Sequence, residues 1–236
     1  VQGCANAIEK CFKDAGFPEN IFKNLQITSD MVSGVIENNK VAGVALTGSA
    51  LAGKSVAKKA GEFLKRTVLE LGGNDPYVIL DDANIDKAVK ACIESRLINT
   101  GQSCISAKRL IVTNKNILLF TKKLIATLKS KVIGDPYDDV DIGPLVSQNA
   151  REEVHGLVSE SINLGAKAIL GGKIPKTKGA YYPITVLTNV KPGMPAFDEE
   201  VFGPLFSIIQ AENDEEAIRL ANNSKYGLGA AVFTDN

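Results

Sequence analysis

The ten residues LTGSALAGKS, positions 46–55, decide between two folds for the chain and two uses for it. As a pattern, Gly48, Gly53, Lys54 and Ser55 satisfy G-x-x-x-x-G-K-S/T, a loop whose backbone N–H groups cradle nucleotide phosphates. The apolar run VAGVAL (41–46) leads into it and a helix-like stretch follows. Further on, YVILDD (77–82) ends an apolar strand in two carboxylates, where a nucleotide triphosphatase keeps its magnesium-binding aspartate. The other reading keeps only a strand, a glycine turn and a helix start that holds phosphate for a different purpose.

Working outward, strand-like and helix-like segments alternate. CANAIEKCFKDAG (4–16) spaces Ala5, Ile8, Cys11 and Phe12 on one helical face and stops at Gly16. IFKNLQI (21–27) reads as a strand, TSDMVSGVIENN (28–39) as a helix, VAGVALTG (41–48) as a buried strand. SALAGKSVAKKAGEFL (49–64) is a helix with Ser49 near its N-cap, and RTVLELGG (66–73) a strand running into paired glycines. After Gly73 the order starts again: strand PYVILDD, helix NIDKAVKACIESRLIN, loop TGQSC, strand AKRLIVT, helix KNILLFTKKLIATLKS. A helix at 147–165, short strands in AKAILGG and YYPITVL, and strands in DEEVFGPLFSIIQ and YGLGAAVFTDN complete it. Such alternation implies an α/β fold with a largely parallel sheet and helices on its faces. The expected boundary gives two domains, 1–71 and 72–236.

At 236 residues and zero formal charge, with lysine and arginine scattered, nothing calls for nucleic acid as a partner. No apolar run approaches the roughly 20 residues of a membrane helix. The polar N-terminus does not read as a signal peptide, and with no starting Met the chain is expected to be a fragment or excised domain. Cys4, Cys11, Cys92 and Cys104 form no C-x-x-C pair, which favours a reducing, cytoplasmic setting. With His155 the only histidine, no metal site is expected.

Two residues stand out chemically. Cys104, in NTGQSCIS, sits on a glycine-containing loop between a helix and a strand, where a thiolate gains from nearby N–H groups. The plainer alternative is a small buried hydrophobe, the reading given to Cys4, Cys11 and Cys92 on their helix faces. Glu70 interrupts the strand TVLELGG among apolar neighbours. Burial would raise its pKa toward a useful general base, whereas an edge-strand glutamate would simply face water. Of Glu199 and Glu200, one reads as a solvated turn residue and the other as a ligand contact.

LELGGNDP (69–76) together with NTGQSC (99–104) resembles the NAD(P)-dependent aldehyde dehydrogenase family, and the 34-residue separation of Glu70 and Cys104 matches that family's glutamate-to-cysteine spacing. LTGSALAG, DIGPLVS and EEVFGPL agree in order, and the wording around LGGNDPYVIL and NTGQSCISAKR is most similar to the succinate-semialdehyde dehydrogenase branch. The resemblance implies an aldehyde-dehydrogenase-like α/β fold: part of a Rossmann-type cofactor domain (1–71), then an α/β catalytic domain (72–236), incomplete at its C-terminus. It implies Cys104 as the nucleophile that forms a thiohemiacetal and then a thioester, and Glu70 as the base that activates water. Gly48 and Ser49 match the pyrophosphate turn, Thr47 and Leu71 the nicotinamide lining, Glu200 the ribose-binding carboxylate and Phe202 the ring beside the nicotinamide. The cofactor is NAD or NADP, the partner a small-molecule aldehyde, and the full-length protein a homodimer or homotetramer.

On this reading Lys54 and Ser55 fall where the family leaves residues free, so the triphosphatase pattern is incidental; a non-catalytic relative serving in binding or assembly is the third reading. The family's oxyanion-holding asparagine and adenosine-ribose lysine belong to motifs upstream of Val1, and the isolated chain is expected to lack aldehyde-oxidising activity. Ile98 stands where some relatives have an arginine for the substrate carboxylate, Arg96 would point elsewhere from its helix, and Ser106 replaces the second cysteine of a redox pair.

Overall fold

Ser49 is where a strand becomes a helix, and it shows how the first part of the chain is built. The computed structural model describes residues 2–236, so the Val1 end of the expected first domain lies outside the described residues. The chain divides into two compact units, one ending at Leu71 and the other spanning Gly72–Asn236.

In the first unit, helix α1 (Gln2–Asp14) ends just before Gly16, whose φ of +78° turns the chain. A 3₁₀ turn at Ser29–Met31 leads into the short helix α2 (Val32–Glu37). Strand β1 (Gly43–Thr47), helix α3 (Ala50–Glu62) and strand β2 (Arg66–Glu70) follow, with β1 and β2 paired in parallel and Thr47 opposite Glu70. The Ser49 side chain accepts from the Ala52 N–H at 3.2 Å and so caps α3 as its position suggests.

Three expectations fail in this unit. Residues 21–27 form no strand: the Asn24 N–H donates to Glu9 Oε2 at 3.0 Å, and Phe22 stacks on Phe12 with centroids 5.3 Å apart. Local side-chain partners thus take the place of a ladder. Strand β1 is not buried, because its sheet has two strands, and Gly43, Ala45 and Thr47 are exposed. Cys4 and Cys11 are exposed rather than core, since α1 buries none of its residues. Only Ile36, Gly53 and Ala60 are buried among the described residues of this unit.

The second unit is organised around a six-stranded sheet. Its elements in order are β3 (Pro76–Ile79), α4 (Ile85–Leu97), β4 (Arg109–Thr113), α5 (Ile117–Leu128) and α6 (Gln148–Asn163). Then come β5 (Lys167–Leu170), β6 (Thr185–Thr188), the single turn α7 (Pro195–Asp198), β7 (Leu205–Ala211), α8 (Asp214–Asn222) and β8 (Ala231–Phe233). The strand order is β5-β6-β7-β4-β3-β8, all neighbours parallel except the bulged β5–β6 pair at one edge.

Alternation along the central strands feeds two cores. Leu110 and Val112 of β4 pack with Phe206 and Ile208 of β7 against Cys92 of α4 and Phe120 and Leu124 of α5. Ile111, Leu205 and Ile209 join Val154 and Val158 of α6, Phe197 of α7 and Leu220 of α8. Helices therefore cover both faces, and all five residues of β4 are buried, as a central parallel strand requires. Among the described residues no helix is long and apolar enough to cross a membrane.

Candidate active site

Five of the singled-out residues lie together at the C-terminal ends of β1 and β2. The Gly48 N–H donates to the Glu70 carbonyl at 2.9 Å, which joins the turn after β1 to the end of β2. Thr47, Gly48, Ser49 and Glu70 are exposed and Leu71 is half-buried. Glu70 therefore faces solvent in this structure and is not buried among the apolar neighbours that flank it in sequence. A Cβ on Gly53 would lie 2.6 Å from Leu71 Cδ2, so the glycine is what lets Leu71 pack on α3.

The stretch 50–53 is helical. The Gly53 N–H donates to the Ser49 carbonyl at 2.9 Å as an ordinary α-helical bond, and Lys54 and Ser55 sit on exposed positions of α3. A phosphate-cradling loop needs those residues ahead of the helix, with their amides turned toward the ligand. Here the first amides of α3, at Ala50 and Leu51, are the ones without intrahelical acceptors. The donor set suits an extended diphosphate lying on a helix N-terminus.

The remaining three residues belong to the second unit. Cys104 is half-buried on the loop between α4 and β4. That loop is shaped by left-handed backbone at Asn99 (φ +48°), Thr100 (φ +60°) and Gly101 (φ +77°). A Cβ on Gly101 would collide with the Gly203 carbonyl. The Thr100 hydroxyl donates to the Gly143 carbonyl at 3.2 Å, and Gln102 Oε1 accepts from the Val146 N–H at 2.8 Å. DIGPLVS is thus the wall against which NTGQSC is set.

Glu200 accepts from the Gly73 N–H at 3.0 Å, while Glu199 pairs with Lys225 at 2.7 Å on the surface. The paired glycines are explained by this approach: a Cβ on Gly72 would strike the Glu200 carboxylate, and one on Gly73 would come within 2.7 Å of the Cys104 carbonyl oxygen. Phe202 is exposed, 43% accessible, on the segment leading to β7.

Two buried cations that hold the Cys104 loop were given no role by sequence reasoning. Arg96 is fully buried and donates to the carbonyls of Leu205 (2.6 Å), Val201 (2.6 Å) and Gly203, and to the Ser106 hydroxyl (2.7 Å). It clamps the carbonyls on both sides of Phe202 and anchors the Cys104 loop through Ser106. Lys108, 3% exposed, donates to the Ser103 and Cys104 carbonyls at 2.9 and 2.7 Å. Burial and the neighbouring Arg96 charge push its pKa down to about 8, against the opposing pull of Glu200 and Asp75. A signal for Arg96 was present: Ala88, Cys92 and Arg96 recur at four-residue spacing on one helical stripe, so the charge stands on an apolar face. Cys92, on that stripe, is buried, and burial raises its thiol pKa well above the usual range. Ile98 is 52% exposed.

Residues 1–236 match the aldehyde dehydrogenase family throughout. The chain belongs to the aldehyde dehydrogenase family. Among similar aldehyde dehydrogenases, the NAD(P)+ succinate semialdehyde dehydrogenase Sad of Escherichia coli (strain K12) is 43% identical over 99% of this chain and 51% of its own length. The succinic semialdehyde dehydrogenase from Streptococcus pyogenes, solved in complex with NADP+ as the cofactor, is 39% identical with a TM-score of 0.95, over 98% of this chain and 51% of that one. A lactaldehyde dehydrogenase from Escherichia coli is 36% identical with a TM-score of 0.94, over 98% and 49%. The fold is thus that of the aldehyde dehydrogenases, and the chain spans about half the length of the curated relatives it matches. Family membership and the helical course of residues 50–53 together remove the triphosphatase reading.

Proposed function

We propose that this chain supplies the aldehyde-oxidising centre of an NAD(P)-dependent dehydrogenase, with succinate semialdehyde as its substrate and residues 1–71 and 72–236 as parts of the cofactor and catalytic domains. The observation that carries this reading is the Cys104 loop, an accessible thiol on a backbone fixed by two buried cations, in a chain belonging wholly to the family. The helix α3 N-terminus, with Thr47, Gly48, Ser49 and Leu71 around it, suits the pyrophosphate and nicotinamide parts of a dinucleotide. Glu200, whose carboxylate retains lone pairs beyond its bond to Gly73, suits ribose hydroxyls, and Phe202 offers an exposed ring face.

An aldehyde gives up hydride only once its carbon is tetrahedral and electron-rich, so a nucleophile acts first. In this proposal the Cys104 thiolate adds to the carbonyl carbon and forms a thiohemiacetal. A nicotinamide held beside Thr47, Leu71 and Phe202 would supply the hydride acceptor, and loss of hydride leaves this carbon as the Cys104 thioester. Glu70 then takes a proton from water as the water oxygen attacks the acyl carbon. The C–S bond breaks, the carboxylic acid leaves and the Cys104 thiolate is restored.

The substrate class rests on the relatives. Arg96 has its donors committed inside the protein and Ile98 carries no charge, so neither offers a fork for a substrate carboxylate. A reducing, cytoplasmic setting keeps Cys104 free, and an assembly of two or four copies of the full-length enzyme belongs to the same reading. The 236-residue chain alone is expected to be inactive.

Rapid mixing of the full-length enzyme with NAD(P)+ and succinate semialdehyde tests the proposal. Cys104→Ala should abolish turnover. Glu70→Gln should keep the first-turnover burst but slow steady-state turnover by about 100-fold, the scale of general-base catalysis. Wild-type turnover surviving in Cys104→Ala would overturn the reading.

A further inference from the structure

One buried ammonium touches both halves of the second-unit site. Lys108 Nζ donates to the carbonyls of Ser103 and Cys104, at 2.9 and 2.7 Å, and a third, of Ser106, lies at 3.5 Å. The same nitrogen is 3.5 Å from Glu200 Oε1, the oxygen that accepts from Gly73. Gly73 in turn packs against the Cys104 carbonyl so closely that no side chain fits between them. The contacts thus form a closed circuit: Cys104 loop, Lys108, Glu200, Gly73, and back to Cys104.

We propose that Lys108 is a positioning residue that couples the Glu200 carboxylate to the Cys104 loop, so that whatever engages Glu200 also sets the nucleophile. The assignment of Glu200 to cofactor and Cys104 to substrate rests on the function proposed above; the coupling itself does not. A lysine that merely filled space would not donate to two loop carbonyls at 2.9 and 2.7 Å while lying 3.5 Å from a carboxylate. Burying an ammonium is costly, and such an arrangement persists when its partners are in place.

Charge is part of the device. Lys108 faces Arg96 from α4, Asp75 from the segment before β3, Glu200 from the segment before β7, and has Arg109 beside it in sequence. Two anions and one cation therefore act on it, and with its pKa near 8 the ammonium is charged at neutral pH and discharged by mild alkali. Discharge removes its attraction for Glu200 while an amine can still donate to the loop carbonyls. The coupling should therefore weaken above about pH 8.

The test uses the full-length enzyme and two readouts, iodoacetamide labelling of Cys104 followed by mass spectrometry, and kcat/KM against pH. With Lys108 intact, Glu200→Gln should change the Cys104 labelling rate by about tenfold, within the range of coupling between contacting groups. In Lys108→Met the same Glu200→Gln change should leave labelling unaltered, and Lys108→Arg should restore the dependence. The wild-type pH profile should show a limb near pH 8 that Lys108→Arg removes. If Lys108→Met does not fold, the arginine variant's pH profile decides alone. Equal effects of Glu200→Gln in both backgrounds, or the same limb in wild type and Lys108→Arg, would overturn the proposal. Labelling needs no turnover, so an enzyme that oxidised no aldehyde would sink the proposed function while leaving this coupling to be read.

Discussion

Strands β1 and β4 have similar sequences, GVALT and RLIVT, and both are parallel strands followed by a helix. Yet β1 alternates between exposed and half-buried positions, while every residue of β4 is buried, its arginine and threonine included. The difference is in the neighbours. Strand β4 has β3 and β7 on its two edges and helices on both faces, whereas β1 has β2 alone. What a strand's side chains do thus depends on how many other elements reach it, a quantity that no window of five residues contains. The same contrast runs through the two units: among the described residues buried charge appears only in the second, where enough backbone converges to satisfy it.

The largest test of this contrast is Phe120→Ala. Its ring is completely buried under the central sheet, and its loss should cost the second unit about 3–5 kcal/mol in urea unfolding. Removal of the Ser49 cap should cost about 1 kcal/mol, seen as earlier loss of α3 in hydrogen exchange. Smallest is Val68→Thr, on β2 at 61% exposure, which should shift the stability of the 236-residue chain by no more than about 0.5 kcal/mol. If Val68→Thr proved as costly as Phe120→Ala, the two units would not differ as described.

Element type and order were legible wherever period and capping agreed. Asn84 and Ser147 each cap the helix expected after them, through side chains accepting from the third residue on, whereas α8, capped in the same way by Asn213, was not expected. The segment 21–27 misled because an apolar alternation says nothing of whether a partner strand exists. Cys104 and Glu200 were legible as motif residues, but the reason for Gly72 and Gly73 was not. For Gly72 that reason is an approach from Glu200, more than a hundred residues away in sequence, and for Gly73 it is the carbonyl oxygen of Cys104. Lys108 and Arg109 escaped notice because charged residues at the head of a strand usually face water. Here one binds the Cys104 loop, and the other holds the Asn74 carbonyl at 3.0 Å and the C-terminal end of α8 through Leu220 and Ala221.

The arch of left-handed backbone at Asn99, Thr100 and Gly101 has a practical consequence. A β-branched threonine held in that conformation costs about 1–3 kcal/mol, so the arch would relax if cut from its surroundings. Anyone transplanting this cysteine loop into a different scaffold would need more than residues 99–106. The graft would have to bring the Gly203 carbonyl that abuts Gly101 and the guanidinium of Arg96 that grips it, or the loop would arrive with the right letters and the wrong shape.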